Sequence, residues 1–503
     1  MVRSSVFLIL LLTSPLTAQN AERAFFEARR DCERLPLLNQ RRMRYLALPH
    51  IREVKDLTRW NAVNAFWANS LSTEGDLVKP VQFAPGMWRI DLSDYGWTPA
   101  LWERLLETNE PYYHQRQLVE TVEYVTEFEE RGNYYDGFGQ GRIITITHEE
   151  AKKRIDLAWR TTERIPKRIE KKKFTEQSVL DPSNGLDALL LARMTGSQIP
   201  MMRADKWLYE TAIAKDRKVG YYDWLKLGKK ESEFQRLGAV DVALAKKARR
   251  ELAAVVGESS VTLNNRELQR FQTITGGYWR SLDYDANTEF SNPLRLLDGD
   301  AKHKASEQYI VLPNGLFAFG LFNEKGDRQD TAPDNIASDS KSRSTDKRVH
   351  VGRSCIVCHE PGIQEIDDWM RKIYKAPFTL DSPDLDKQKR LRQIYLSDLD
   401  RWVKRDQGDY AETLKGLNGL TSAQNAKAFA DAWSDYADHK RTLADGANEI
   451  GIEEVVLREK LSRYAKAKGN LDPILAAMIQ GRAVKVEHWE EVFPQVILIT
   501  RQP

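Results

Sequence analysis

"EQYIVLPNGLFAFGLFNEKGDRQ", Glu307–Gln329, sets apolar runs on either side of Asn314-Gly315 and closes the second with Glu324-Lys325-Gly326. Asn-Gly is the dipeptide that a two-residue hairpin loop selects, because both of its central residues need positive φ. The stretch therefore predicts strand, tight turn, strand and a second turn. Upstream, the character changes at Gly277, where "YWRSLDY" adds another strand. A small antiparallel sheet is thus expected just before residue 345.

Outward from this sheet the chain reads as helical. From Ala21 to about Leu48 the pattern is helical and charged, and "LTRWNAVNAFWANSL" puts Trp60, Val63, Trp67 and Leu71 at helical spacing. "MWRIDLSDYGW" alternates and predicts a strand running into a turn. Helices are expected around Leu186 to Met194 and Arg203 to Ala214, followed by a charged helical region to about Val256. Past residue 383, Asp384 to Leu417, Ser422 to Leu443, Ile452 to Lys468 and a final pair of short elements are helical, with Ser382-Pro383 as a start and Gly416, Gly446 and Gly469 as stops. The fold class is α+β, predominantly helical: a helical N-terminal region, a small antiparallel sheet and a C-terminal helical bundle. The turn-rich "LDPSNG", Leu180–Gly185, is a natural boundary. The chain is expected to comprise a leader (1–18), a mainly helical N-terminal domain (19–180), an α+β middle domain (181–345) and a C-terminal domain with the Cys-x-x-Cys-His segment and helices (346–503).

The leader, "MVRSSVFLILLLTSPLTAQN", has one arginine, an apolar run from Val6 to Leu12 and small residues ending at Ala18. This is the layout of a secretory signal peptide cleaved after Ala18, and it places the mature chain in the periplasm or otherwise outside the cytoplasm. The run is well short of the roughly 20 residues that span a bilayer, and no later stretch is long and apolar enough. A net charge of +3 with both signs mixed along the chain argues against nucleic acid as a partner.

Within "GRSCIVCHEPGI", Gly352–Ile363, stand two of the three cysteines, Cys355 and Cys358, with His359 directly after the second. A structural zinc site needs four ligands, and no second Cys or His pair lies at the required spacing. A thioredoxin-type pair belongs in a βαβ context that the flanking residues do not supply. Neither reading uses His359. In Cys-x-x-Cys-His, both thiols form thioethers with the haem vinyl groups and the histidine ligates the iron from one face. Attachment of that kind follows export, which the leader supplies independently. The single motif predicts one covalent haem c. The third cysteine, Cys32, reads as a small buried hydrophobe.

Other motifs carry less. Gly137, Gly139 and Gly141 in "GFGQGRIITIT" precede a β-branched run where a dinucleotide fingerprint needs a helix, so they predict a hairpin turn. "RIPKRIEKKKF", Arg164–Phe174, reads as a solvated helix face, with Lys167 to Lys173 as an alternative docking surface. "HEEAK" at His148 lacks the second histidine of a zinc-protease helix. "DNIASDSKSRSTDKR" reads as a surface loop near the haem.

"GYYDWL", "NNRELQRF", "GGYWRSLDY", "DAKHKASEQYIVLPNGL", "DRQDTAPDNI", "RVHVGRSCIVCH" and "VEHWEEVFPQVIL" together resemble a family of large exported single-haem c-type cytochrome proteins of environmental Gram-negative bacteria. The likeness covers nearly the whole mature chain in the order and spacing of its blocks. It implies a c-type cytochrome with a large non-haem body, and it names no substrate. The family pattern carries a histidine ahead of the "E...LPNG" block, which falls on His303, and one shortly before the motif, which falls on His350. Where the family has an acidic pair after the first histidine, this chain has Ala305 and Ser306 before Glu307.

A single-haem site either fills its second axial position with a side chain and passes electrons, or leaves it open to a small molecule. Met370 is carried away on the proximal side, His350 is too close in sequence to reach the opposite face, and Met201, Met202 and Met478 sit in apolar context. His303 is the tentative distal ligand, since it lies in a polar loop far enough ahead of the motif. The expected activity is electron transfer with another redox protein as partner. The alternatives are a peroxidase-like haem oxidoreductase with an open site, for which Tyr278, Trp279, Arg280 and Arg353 are candidate lining groups, and a haem subunit of a larger redox complex. No catalytic residue is assigned.

Overall fold

The computed structural model describes residues 21–48, 53–108, 114–123, 171–180, 186–212, 220–248, 250–256, 266–284, 303–332, 338, 348–359, 362–368, 385–395, 399–438, 440–450, 452–469 and 471–500. The leader, the Gly137–Gly141 hairpin, His148, the 181–185 boundary, nearly all of the 334–348 loop and Met370 lie outside them. The fold is mixed α+β and mainly helical, as its sequence predicts.

The N-terminal part runs α1 (Ala21–Glu33), α2 (Leu37–Gln40), β1 (Met43–Ala47), α3 (Val54–Ser70), β2 (Val81–Ala84), β3 (Met87–Asp91), a 3-10 turn, α4 (Pro99–Thr108), β4 (His114–Glu123) and β5 (Lys171–Leu180). Two expectations are corrected here. The helical pattern stops at Gln40, and Met43–Ala47 is a strand buried at all five positions. Alternate residues of β1 feed two different cores. Met43, Tyr45 and Ala47 join Phe25 and Cys32 on the α1 side, while Leu46 joins Trp60, Trp67 and Leu71 on the α3 side. A strand covered on both faces has no polar alternation to betray it. The basic run, read as a helix face, enters β5 from Lys171 onward and pairs antiparallel with β4. Residues 164–170 lie outside the described set.

After α5 (Leu186–Thr195) a short strand, β6 (Met201–Arg203), pairs parallel with β1 and completes a sheet in the order β2-β3-β1-β6. Met201 and Met202 are therefore core residues, as expected from their apolar context. Helices α6 (Ala204–Ala212), α7 (Tyr221–Trp224), α8 (Glu231–Leu237) and α9 (Val242–Lys247) follow.

The central sheet is larger than predicted. It contains β7 (Leu252–Val256), β8 (Arg266–Gln272), β9 (Gly277–Asp283), β10 (Ala305–Val311), β11 (Phe317–Asn323) and β12 (Arg328–Gln329), hydrogen-bonded in sequence order. Strand β7 replaces the end of the expected charged helical region. All five pairings are antiparallel. Gly315 at φ +85° and Gly326 at φ +70° sit in the two predicted turns, conformations that cost a side chain-bearing residue strain. The first turn is also tied to α3: buried Asn314 donates to the Asn69 carbonyl at 2.9 Å and accepts from the Leu316 amide at 3.0 Å. Asn314→Ala is expected to cost about 1–3 kcal/mol, because it leaves the Leu316 N–H without its acceptor and cuts the tie to Asn69, whose carbonyl keeps the Ser72 amide. Urea unfolding checks this value, and a loss below about 0.5 kcal/mol would mean that the turn holds itself.

Past α10 (Arg353–Cys358) come α11 (Leu385–Tyr395), α12 (Leu399–Asn418), α13 (Ser422–Asp438), α14 (Leu443–Ile450), α15 (Glu454–Lys468), α16 (Pro473–Ile479) and α17 (Val486–Thr500). The expected helix from Asp384 to Leu417 is thus two. The main hydrophobic cluster reaches from Leu46 to Trp433, whereas Leu443 to Ile499 form a cluster of their own that includes Met478. Among the described residues, no helix is long and apolar enough to cross a membrane.

Candidate functional site

The segment before α10 is held by the sheet. Its extended residues run beside the chain leaving β12: Ala332 N–H donates to the Val349 carbonyl and Val351 N–H to the Asp330 carbonyl, each at 3.0 Å. Gly352 then turns with φ +80°, and a Cβ there would stand 2.9 Å from the Tyr221 ring. Only glycine fits such a turn without strain. Tyr221 and Tyr222 also accept from the Phe319 and Leu321 amides at 2.9 and 2.7 Å. The "GYYDWL" block therefore braces both strand β11 and the cysteine-bearing helix.

On α10, Cys355 is 1% exposed and Cys358 is half-buried, and neither is in a disulfide. Burial pushes the Cys355 thiol well above its ordinary range, and the nearby Glu307 carboxylate pushes it further. His359 caps the helix. Its Nδ1 lies 3.0 Å from the Gly362 carbonyl oxygen, and because a carbonyl can only accept, Nδ1 carries the proton. In the neutral ring Nε2 is then the nitrogen with a lone pair to give a metal. The imidazole faces an aromatic wall: its centroid is 5.7 Å from Tyr309 and 5.6 Å from Phe319. Tyr309 stacks on Trp279 at 6.1 Å, and Phe317 on Tyr410 at 4.1 Å.

The sheet register sorts the other candidates. Glu307 pairs with Ser281 and Leu321, and Tyr309 with Trp279 and Phe319, so these side chains share the face that meets His359. Tyr278, Arg280 and Gln308 alternate onto the opposite face. There Tyr278 donates to Gln308 at 2.5 Å, Gln308 donates to Glu231 at 2.8 Å, and Arg280 pairs with Glu231 at 3.4 Å. His303 belongs with this second group. Its pKa is lowered by burial and by Arg280, with Glu231, Lys246 and Glu324 as its other charged neighbours. None of these groups is among those around His359. Arg353 is buried with its guanidinium 3.9 Å from the Trp433 ring centroid. His350 is 2% exposed, and its backbone N–H donates to Ser354 Oγ at 3.1 Å. Cys32 is fully buried in the α1 cluster, where burial raises its pKa to about 11.

Sequence reading missed Glu307 as a site residue. Its Oε1 stands 3.9 Å from His359 Nε2. Asp283, on the same face, has its pKa raised to about 7 by burial, with Arg266 opposing and Glu307 adding to the rise. The signal was available: a lone carboxylate at 307 in register with Tyr309 and Val311 breaks an otherwise apolar strand face.

No protein-family model, curated protein or solved structure matches the chain. The chemistry of the residues has to carry the functional reading alone.

These residues fit a covalently attached haem. Two thiols outside any disulfide lie one helical turn apart, the next residue offers a nitrogen with its tautomer fixed, and packed aromatic rings stand beside it. Among the described residues, no group of three or more His, Cys, Asp and Glu side chains is placed to hold a bare metal ion. A haem asks less of the chain, since its porphyrin supplies four of the ligands.

Proposed function

We propose that the chain is an exported cytochrome with one covalently attached haem c, joined through Cys355 and Cys358, ligated by His359, and exchanging electrons with a redox-protein partner in the periplasm. The observation that carries this reading is the bond from His359 Nδ1 to the Gly362 carbonyl, which leaves Nε2 as the donor. Bound haem supplies one-electron chemistry at iron. The chain's own part is to anchor, orient and insulate. Gly352 and the Tyr221 ring set the approach of α10, and Gly362 fixes the imidazole. Tyr309, Phe319 and Trp279 keep water from one side of the site. Phe317 and Tyr410 extend this apolar lining.

A second reading, a haem oxidoreductase acting on a small oxidant such as peroxide, is favoured by one observation. A carboxylate, Glu307, stands beside Nε2 on the sheet face that meets the histidine. An electron carrier has no need of an ionisable group there.

Expression with a signal peptide in cells that attach haem c tests the proposal. The mature protein is expected to retain haem through denaturing electrophoresis, and the Cys355→Ala, Cys358→Ala double variant to lose it. A wild-type protein recovered without covalent haem overturns the reading. Stopped-flow turnover with peroxide no faster than free haem removes the peroxidase version.

A further inference from the structure

Leu37 and Leu38 are adjacent apolar residues exposed at 80% and 89%. They open the short α2, and the turn that carries them is fixed from inside. Buried Gln40 donates Nε2 to the Leu35 carbonyl at 3.0 Å, and the Asn39 N–H donates to the Pro36 carbonyl at 2.8 Å. The leucines are therefore presented to the outside by an ordered turn. A single exposed leucine needs no explanation, but a group of them marks a surface that meets something apolar.

The neighbouring helix repeats the feature. On α5, Ala188, Leu191 and Thr195 face the core, yet the outer face carries Leu186 at 71% and Leu189 at 45% exposure. Helix α5 packs on both α1 and α2, and Asp187 of α5 is paired with Arg29 of α1. The outer stripe of α1 is Arg23, Phe26, Arg30 and Arg34, all exposed and at helical spacing. The Arg30 guanidinium lies 5.5 Å from the Phe26 ring centroid, over an aromatic ring. Arg41, just past α2, and Arg193, on the outer face of α5, are exposed as well. Acidic groups of α1 are engaged elsewhere: Asp31 is buried against Arg89, Glu33 pairs with Arg29, and Glu27 is half-buried. The outer surfaces of these three helices thus set apolar side chains among arginines.

We infer that α1, α2 and α5 form a peripheral docking surface for an anionic phospholipid bilayer, in which Leu37, Leu38 and Leu186 enter the boundary between headgroups and acyl chains while Arg30, Arg34 and Arg41 meet lipid phosphates. Charge complementarity selects this occupant. Arginines spread over three elements match a continuous negative plane, and the guanidinium fork suits phosphate oxygens. Their alkyl stems can lie along the apolar layer with the charged heads at the surface. The contact is interfacial, since no described helix is long and apolar enough to cross a membrane. The inference does not depend on the haem reading.

The test is cosedimentation of the full-length protein, recovered after export, with vesicles of mixed phosphatidylethanolamine and phosphatidylglycerol, and with phosphatidylcholine vesicles as the neutral comparison. Wild type is expected to bind the anionic vesicles, to leave phosphatidylcholine in solution, and to release progressively as salt is raised. The Arg30→Gln, Arg34→Gln variant is expected to bind the anionic vesicles about 30-fold more weakly. The Leu37→Ser, Leu38→Ser variant is expected to lose at least about tenfold. Both should unfold at the wild-type urea midpoint, because all four side chains are exposed. Leu244→Ser, an exposed leucine on α9, is expected to bind as wild type does. A wild type that ignores the anionic vesicles overturns the inference, as do arginine or leucine variants that bind them like wild type. A wild-type dimer that the leucine variant dissociates, with vesicle binding unchanged, also overturns it and assigns the leucines to a second copy of the chain.

Discussion

Asp406→Ala is expected to destabilise the protein by about 3–5 kcal/mol, the range for stripping one partner from a buried ion pair. Asp406 on α12 receives Arg270 Nε at 2.8 Å and Nη2 at 2.9 Å, and Trp279 Nε1 at 2.8 Å. The two charged side chains are only 2% and 3% exposed. Arg270 also lies 4.2 Å from the Trp402 ring centroid. Removal of the carboxylate leaves Arg270 Nε and the indole N–H buried without their acceptor, and the guanidinium holds only Gln272 Oε1. Urea unfolding should show a lower midpoint at unchanged slope. The paired replacement Arg270→Met, Asp406→Leu is expected to recover most of the loss, since burying the pair at all carries a desolvation cost. A loss below about 1 kcal/mol for Asp406→Ala would put the pair in the class of exposed ion pairs. The effect should reach the site as well. Trp279 stacks on Tyr309, and Tyr309 meets His359, so under the proposed function loosening Trp279 is expected to broaden the absorption of an attached haem in the folded fraction.

How far such a structure can be read from sequence depends on how local the deciding contacts are. The β10–β11 hairpin was legible because Asn314-Gly315 marks its turn, although the loop is longer than two residues and only Gly315 takes positive φ. The Trp60–Leu71 helix was legible because its period is written in one segment. Strand β1 was not, since its parallel partner begins at Met201 and both of its faces are buried. Strand β8 was hidden by "RELQR", whose charges look solvated. Arg270 is in fact neutralised by Asp406, 136 residues later in the chain. Glu307 fell between these cases. Its position on a strand face could be read, but not that the face meets His359, because that depends on how α10 returns to the sheet. His303 was singled out by residue type, and its neighbours Arg280, Glu231, Lys246 and Glu324 could not be read from one segment either.

Trp489→Ala should separate the C-terminal helices from the body that carries the site. Trp489 is fully buried, donates to Glu449 at 2.7 Å and packs edge-on against Phe493 at 5.6 Å. A Cβ at Gly446 would stand 2.6 Å from the indole, so the ring lies directly on the α14 backbone. Truncation of such a side chain costs about 3–5 kcal/mol. The loss falls on a cluster whose members run only from Leu443 to Ile499, while Cys355, Tyr309 and Phe319 belong to the other one. Glu449 joins the two parts through Arg203 at 2.6 Å, and that contact loses its backing when the indole goes. Helical signal in the far ultraviolet should then fall at lower urea than the tryptophan fluorescence of the main cluster changes, and limited proteolysis should cut first beyond residue 440. Coincident transitions would mean that the two clusters unfold as one, and the C-terminal helices would then belong to the energetics of the site. Separate transitions would confine the chemistry to the part of the chain that ends with α13, and would make these helices the part available to a partner.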